Sequence, residues 1–142
     1  MKRTGQALLI GAAISLTAAI VDAHIEIASG PGFANTTQEI TFGVGHGCAG
    51  MDTSSVKVDI PDGVTSVRAM ASDFGKVTVE KDMAGIVKSV TWTKPDSDLA
   101  DGDPNYYKLT LRLRVPSAPF TTIFFPARQT CKELNNRTAV TD

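Results

Sequence analysis

An all-β fold, a single antiparallel β-sandwich, is predicted by three features of the sequence. Short β-branched runs recur between breakers at spacings of roughly 8 to 12 residues. Apolar and polar residues alternate with period two inside several of those runs. No stretch after residue 24 carries a helical period.

The predicted strands cover residues 25–28, 39–44, 55–60, 66–70, 76–80, 86–93, 106–115 and 121–125. Turn formers bound them: Ser29-Gly30-Pro31-Gly32, Pro61-Asp62-Gly63, and residues 82–85, 96–104 and 116–119. Val56, Val58 and Ile60 fall on one face and Lys57 and Asp59 on the other. Leu109, Leu111, Leu113 and Val115 likewise oppose Lys108, Thr110, Arg112 and Arg114. Val90 and Trp92 share a face, which reads the single tryptophan as a core anchor in preference to a ligand-stacking or metal-site residue.

The first 23 residues read as a secretory leader. Lys2 and Arg3 supply a positive start, residues 7–20 an apolar stretch, and Val21-Asp22-Ala23 a small-residue cleavage site. The predicted organisation is a leader over residues 1–23, a folded domain over 24–131 and a polar tail over 132–142 that frays from Asn135. The leader is short for a membrane span, and no later run approaches the ~20 apolar residues that one needs. A mature product that does not span the membrane, periplasmic or secreted, is therefore expected.

Removing the leader takes Lys2, Arg3 and Asp22 with it and leaves twelve basic against fourteen acidic residues, a formal net charge of −2. No basic stripe remains to neutralise a row of phosphates, so nucleic acid is not an expected partner. The two cysteines, Cys48 and Cys131, most simply form a disulfide in an exported chain. Closing a loop of some 83 positions stabilises the fold by about 4–5 kcal/mol in the chain-entropy model. The alternative, a thiolate ligand to copper, lacks the nearby His and Met of a blue-copper loop.

Catalysis is poorly served. The chain has two histidines, His24 and His46, with no Gly-x-Ser-x-Gly, phosphate loop or dinucleotide fingerprint, so it is not expected to be an enzyme. Asp59, Asp62, Asp98, Asp101 and Asp103 lie in turn-like contexts and read as solvated loop carboxylates. The run 96–103 has the charge for Ca²⁺ but not the spacing of an EF-hand loop. Asn35-Thr36-Thr37 and Asn136-Arg137-Thr138 are glycosylation acceptors only in a eukaryotic secretory pathway.

His24 carries the most chemistry. Cleavage after Ala23 makes it the first residue of the mature protein, where the α-amine and ring Nδ1 of one residue close a six-membered chelate. Two nitrogens in that arrangement suit Cu(II), which favours tetragonal nitrogen ligation. His46 lies in Gly43-Val44-Gly45-His46-Gly47-Cys48, and two readings stand side by side: a third copper ligand, or a loop histidine bonded to backbone. Met51 and Met70 read as packing residues before soft ligands.

Five segments carry a family resemblance in chain order: His24-Ile25-Glu26-Ile27; Ile40-Thr41-Phe42 leading to Gly45-His46-Gly47-Cys48-Ala49-Gly50; residues 56–64; Ser89-Val90-Thr91-Trp92; and Phe125-Pro126-Ala127-Arg128-Gln129-Thr130-Cys131. Together they resemble the YcnI-like (YncI) copper-binding domain of bacterial exported proteins. The resemblance implies an immunoglobulin-like or cupredoxin-like sandwich whose N-terminal histidine braces Cu(II), serving copper buffering or delivery. A membrane copper transporter or another periplasmic copper chaperone is the implied partner. In better-known members a carboxylate and a tryptophan complete the site. Glu26 shares a strand face with His24 by alternation and is the candidate carboxylate. Trp92 matches an internal strand and does not inherit the tryptophan's role. A metal-free adhesion or interaction module is the competing expectation, since a sandwich alone does not fix function.

Overall fold

A computed structural model describes residues 24–133 and 138–142. The leader, its cleavage point and part of the second sequon lie outside the described residues. Nine strands occur among those described: β1 (Ile25–Ile27), β2 (Thr37–Val44), β3 (Asp52–Asp59), β4 (Thr65–Ala69), β5 (Lys76–Lys81), β6 (Val87–Thr93), β7 (Tyr107–Arg114), β8 (Ala127–Lys132) and β9 (Thr138–Thr141). One sheet runs β1-β2-β7-β4 and the other β5-β6-β3-β8-β9, with antiparallel neighbours throughout.

The alternation predicted from sequence sets the faces. Leu109, Leu111 and Leu113 of β7 are fully buried, together with Phe42 and Val44 of β2, Val56 and Val58 of β3, and Val90 and Trp92 of β6. Each such side chain contributes roughly 1.5–3 kcal/mol of transfer free energy. Lys108, Arg112 and Arg114 stay in water on the opposite face of β7. A one-residue slip would exchange the two sets, so register is strongly specified. The β5–β6 turn follows from its composition: Asp82 Oδ1 accepts from the amides of Ala84 and Ile86, both at 2.9 Å, and Gly85 takes φ +80°.

Two expectations are corrected. Residues 121–125 form no ladder and lie in the irregular segment before Pro126. Phe125 packs edge-on against Phe42, with ring centroids 5.7 Å apart, while Phe124 faces solvent. The strand begins after Pro126, which has no amide proton to donate, and pairs with β3 as Ala127–Lys132. Residues 138–141, read as part of a fraying tail, form β9 on the edge of β8, in register from Gln129↔Thr141 to Lys132↔Thr138.

Candidate metal centre

β1 is short and lies at the edge of its sheet, paired with β2 as Ile25↔Val44, Glu26↔Gly43 and Ile27↔Phe42. Ile25 packs against the core and holds β1 against it. His24 just ahead of it lines a small cleft of about 180 Å³ with Ile25, Phe125, Ala127, Gln129, Thr141 and Asp142. β9 brings Asp142 there, and Arg128 Nε holds it by a hydrogen bond to Asp142 Oδ1.

Gln129 supplies the telling atom. Its side chain is buried and its Nε2 donates to the His46 carbonyl at 2.8 Å and to Thr53 Oγ1 at 2.7 Å. Its Oε1 is buried with no hydrogen-bond partner among the described residues. Buried acceptors are normally satisfied, which makes this carbonyl an exception in the structure.

Glu26 and His46, the other expected ligands, are held elsewhere. The Glu26 carboxylate accepts from Tyr106 Oη at 2.9 Å. This hydrogen bond, with some desolvation, pushes the phenol above its ordinary pKa. The tyrosine ring lies on Gly43, where any Cβ would collide with its hydroxyl. Neither Glu26 nor His46 lines the His24 cleft. His46 is exposed, and its Nδ1 sits 2.8 Å from the Gly47 carbonyl. The bond matches the loop-histidine reading, and with Nδ1 as the donor it also leaves Nε2 as the nitrogen with a lone pair. Among the described residues no three His, Cys, Asp or Glu side chains converge on one point.

The Cys48–Cys131 bridge is present, with Cα atoms 5.7 Å apart. It ties the His46 loop to β8 and packs with Met51, which is a core residue as expected. Gly47 is required in that loop because a Cβ would run into the Met51 carbonyl. Replacing Cys131 by Ser is expected to lower stability by about 2–5 kcal/mol. Urea unfolding of wild type with and without reductant, beside the variant, checks it. Trp92 is wholly buried and paired with Val56 across the ladder, confirming its core role.

Sequence reading missed one cluster entirely. Lys94 Nζ contacts Asp52 Oδ1 and Oδ2 at 3.1 and 2.9 Å, Asp103 Oδ2 at 2.8 Å and Tyr107 Oη at 3.3 Å. Asp103, expected to be a solvated loop carboxylate, is only 10% exposed. Its burial works against ionisation, yet hydrogen bonds from Lys94, Tyr107 and the Asn105 amide pull its pKa down to about 2. Burial also opposes charge on Lys94, and hydrogen bonds to Asp103, Asp52 and Tyr107 outweigh it, raising the ammonium above the ordinary lysine range. Asp96, at the start of the run 96–103, pairs with Lys132 at 2.7 Å.

A family model described as a domain of unknown function, DUF1775, matches residues 24–138. The chain belongs to the DUF1775 family. The matched span of this DUF1775 domain starts at His24 and reaches into β9. Among solved structures it is similar to an uncharacterized protein from Nocardia farcinica described as having an immunoglobulin-like fold. The two are 23% identical with a TM-score of 0.57, covering 84% of this chain and 80% of the other. That likeness supports the fold, an immunoglobulin-like all-β sandwich. A search of curated proteins gave no match.

Proposed function

We propose that this DUF1775 domain is exported, is cleaved after Ala23, and binds Cu(II) as cargo through the amine and ring of His24. Its role would be buffering copper or handing it to a membrane copper transporter or a second periplasmic chaperone. The observation that carries this reading is the cleft at His24, which Asp142, anchored by Arg128, also lines, beside a residue that cleavage would turn into a two-nitrogen chelator. Imidazole, amine and carboxylate form a donor set suited to Cu(II). The resemblance to YcnI-like copper-binding domains points the same way. Among the described residues no helix is long and apolar enough to cross a membrane. We read the domain as a binder and not an enzyme, because the cleft offers metal donors without a nucleophile and base in contact.

Asp142 replaces Glu26 as the first carboxylate to test, and Gln129 joins it. Asp142→Ala in the protein beginning at His24 is expected to weaken Cu(II) binding by about 10–100-fold, the range found when groups around a metal site are removed. Glu26→Ala is expected to change it far less. A competition titration with a chromogenic chelator checks both, and the reverse order would move the site to the Tyr106 side of β1. His46→Ala, followed by EPR of bound Cu(II), decides whether a further nitrogen is involved.

The competing reading, a metal-free interaction module, is favoured by one feature. An apolar cleft of about 480 Å³ lies between the β1–β2 loop and residues 118–125, rimmed by the strongly exposed Phe33 and Phe120. Apolar clefts of this size are common binding surfaces. Mass spectrometry of the exported protein separates the two, because a mature terminus other than His24 removes the central ligand.

A further inference from the structure

We propose that the end of the sandwich carrying Phe33 and Phe120 docks on a lipid bilayer, both rings entering the interface between head groups and hydrocarbon. The ladders define that end. β2 begins at Thr37 opposite Arg114, where β7 finishes, and the Val115 amide donates to the Thr36 carbonyl at 2.9 Å. The segment before β2 and the segment after β7 therefore leave the sheet side by side. Phe33 on the first is 72% exposed, and Phe120 on the second is wholly exposed. Phe120 also stands at φ +60°, the left-handed region that a bulky side chain seldom occupies. Large rings held out in water from neighbouring loops mark an interaction surface.

Two features of these loops suit hydrocarbon. The first is charge. Residues 28–36 and 115–126 contain no Asp, Glu, Lys, Arg or His, although 20% of the chain is Asp, Glu, Lys or Arg. Neither segment has to strip water from an ion to enter an apolar phase. The second is internal hydrogen bonding. Thr36 Oγ1 donates to the Phe33 carbonyl at 2.8 Å and Thr121 Oγ1 to the Ala118 carbonyl at 2.7 Å, each three residues back. The Phe33 amide donates to Gln38 Oε1 at 3.0 Å, and the Asn35 and Ala118 amides donate to the Pro116 carbonyl at 3.1 and 3.0 Å. Pro31, Pro116, Pro119 and Pro126 have no amide proton to satisfy. Lipid tails offer no hydrogen bonds, so a backbone entering them must be satisfied from within. A protein partner would instead be met by a rim of open polar groups.

Behind the two rings, the cleft of about 480 Å³ presents Ile27, Ile40, Ile123 and Phe125, an apolar recess for the end of an acyl chain. Because the surface is uncharged, docking needs no anionic head groups and resists salt. His24 and Asp142 take no part in it, so the domain meets the membrane with or without metal.

Flotation with phosphatidylcholine vesicles tests this on the metal-free protein from His24 to Asp142, which contains every described strand of both sheets. Wild type is expected to rise with the vesicles at low and high salt alike. Phe33→Ser and Phe120→Ser should each weaken partition roughly tenfold or more, the effect of one aromatic side chain left out of the apolar phase. The double variant should stay with the free protein. Phe120→Trp adds an exposed indole to a protein whose own tryptophan, Trp92, is buried. Its emission should shift to the blue on vesicles and be quenched by brominated lipid chains. Unchanged Trp92 emission in the serine variants shows that they are folded. Wild type that stays out of the vesicle fraction overturns the proposal. So does partition that survives in the double variant or that high salt abolishes. A concentration-dependent dimer that the same two substitutions break up also overturns it, because that gives the face to a second copy of the chain.

Discussion

Replacing Lys94 by methionine is expected to destabilise the folded domain by about 3–5 kcal/mol, the cost of removing one partner from a buried charged network. The methionine stem keeps its place beside Phe74 and Tyr107 but leaves the buried Asp52 and Asp103 carboxylates without their shared cation. Asp52 retains the Ala100 amide, and Asp103 keeps Tyr107 and Asn105. Asp103→Ala should cost less, because it strands no second carboxylate and sits nearer the surface. Urea unfolding followed by the single tryptophan, Trp92, reads both. A Lys94→Met loss within about 0.5 kcal/mol, typical of an ordinary surface substitution, would contradict the structural role assigned to the cluster.

How far the fold was readable depended on whether one face of a strand was wet. Residues 109–115 alternate cleanly because Leu109, Leu111 and Leu113 enter the core while Lys108, Arg112 and Arg114 stay outside. Residues 127–132 hide the same pattern, since a glutamine takes an inward position. Gln129 is tolerated there only because its Nε2 finds the His46 carbonyl and Thr53. The phenylalanine-rich run 121–125 imitates a strand in composition, but it packs over the core edge without a ladder.

The candidate site divides in the same way. His24 could be singled out because a leader-like pattern with a small-residue cleavage site is read from a few neighbouring residues, and the Cys48–Cys131 bridge because two cysteines allow one pairing. Asp142 could not, since only the β8–β9 pairing carries it to His24. For Glu26, alternation gives the face of the side chain but not its neighbour, which is Tyr106. Asp103 looked like a solvated loop residue because its partner is a lysine that composition alone would place in water.

The larger functional effect belongs to His24. Replacing it by alanine in the protein that starts at that residue leaves an amine without its chelating ring. Placing one alanine before it converts the amine to an amide and leaves a ring without its amine. Each change is expected to weaken Cu(II) binding by more than about 100-fold, beyond the 10–100-fold that changes around a metal site produce. Affinity should also weaken as pH falls, because protons compete with the metal for both nitrogens. Apolar packing at Ile25 and the sheet pairing of β1 are untouched by either change, so stability serves as an internal control.

The most direct measurement is a Cu(II) competition titration, with EPR, on two proteins that differ only by that single preceding alanine. The account predicts tight one-to-one binding with nitrogen hyperfine structure when His24 is first, and loss of both when it is second. Equal affinity and identical spectra from the two proteins would contradict it.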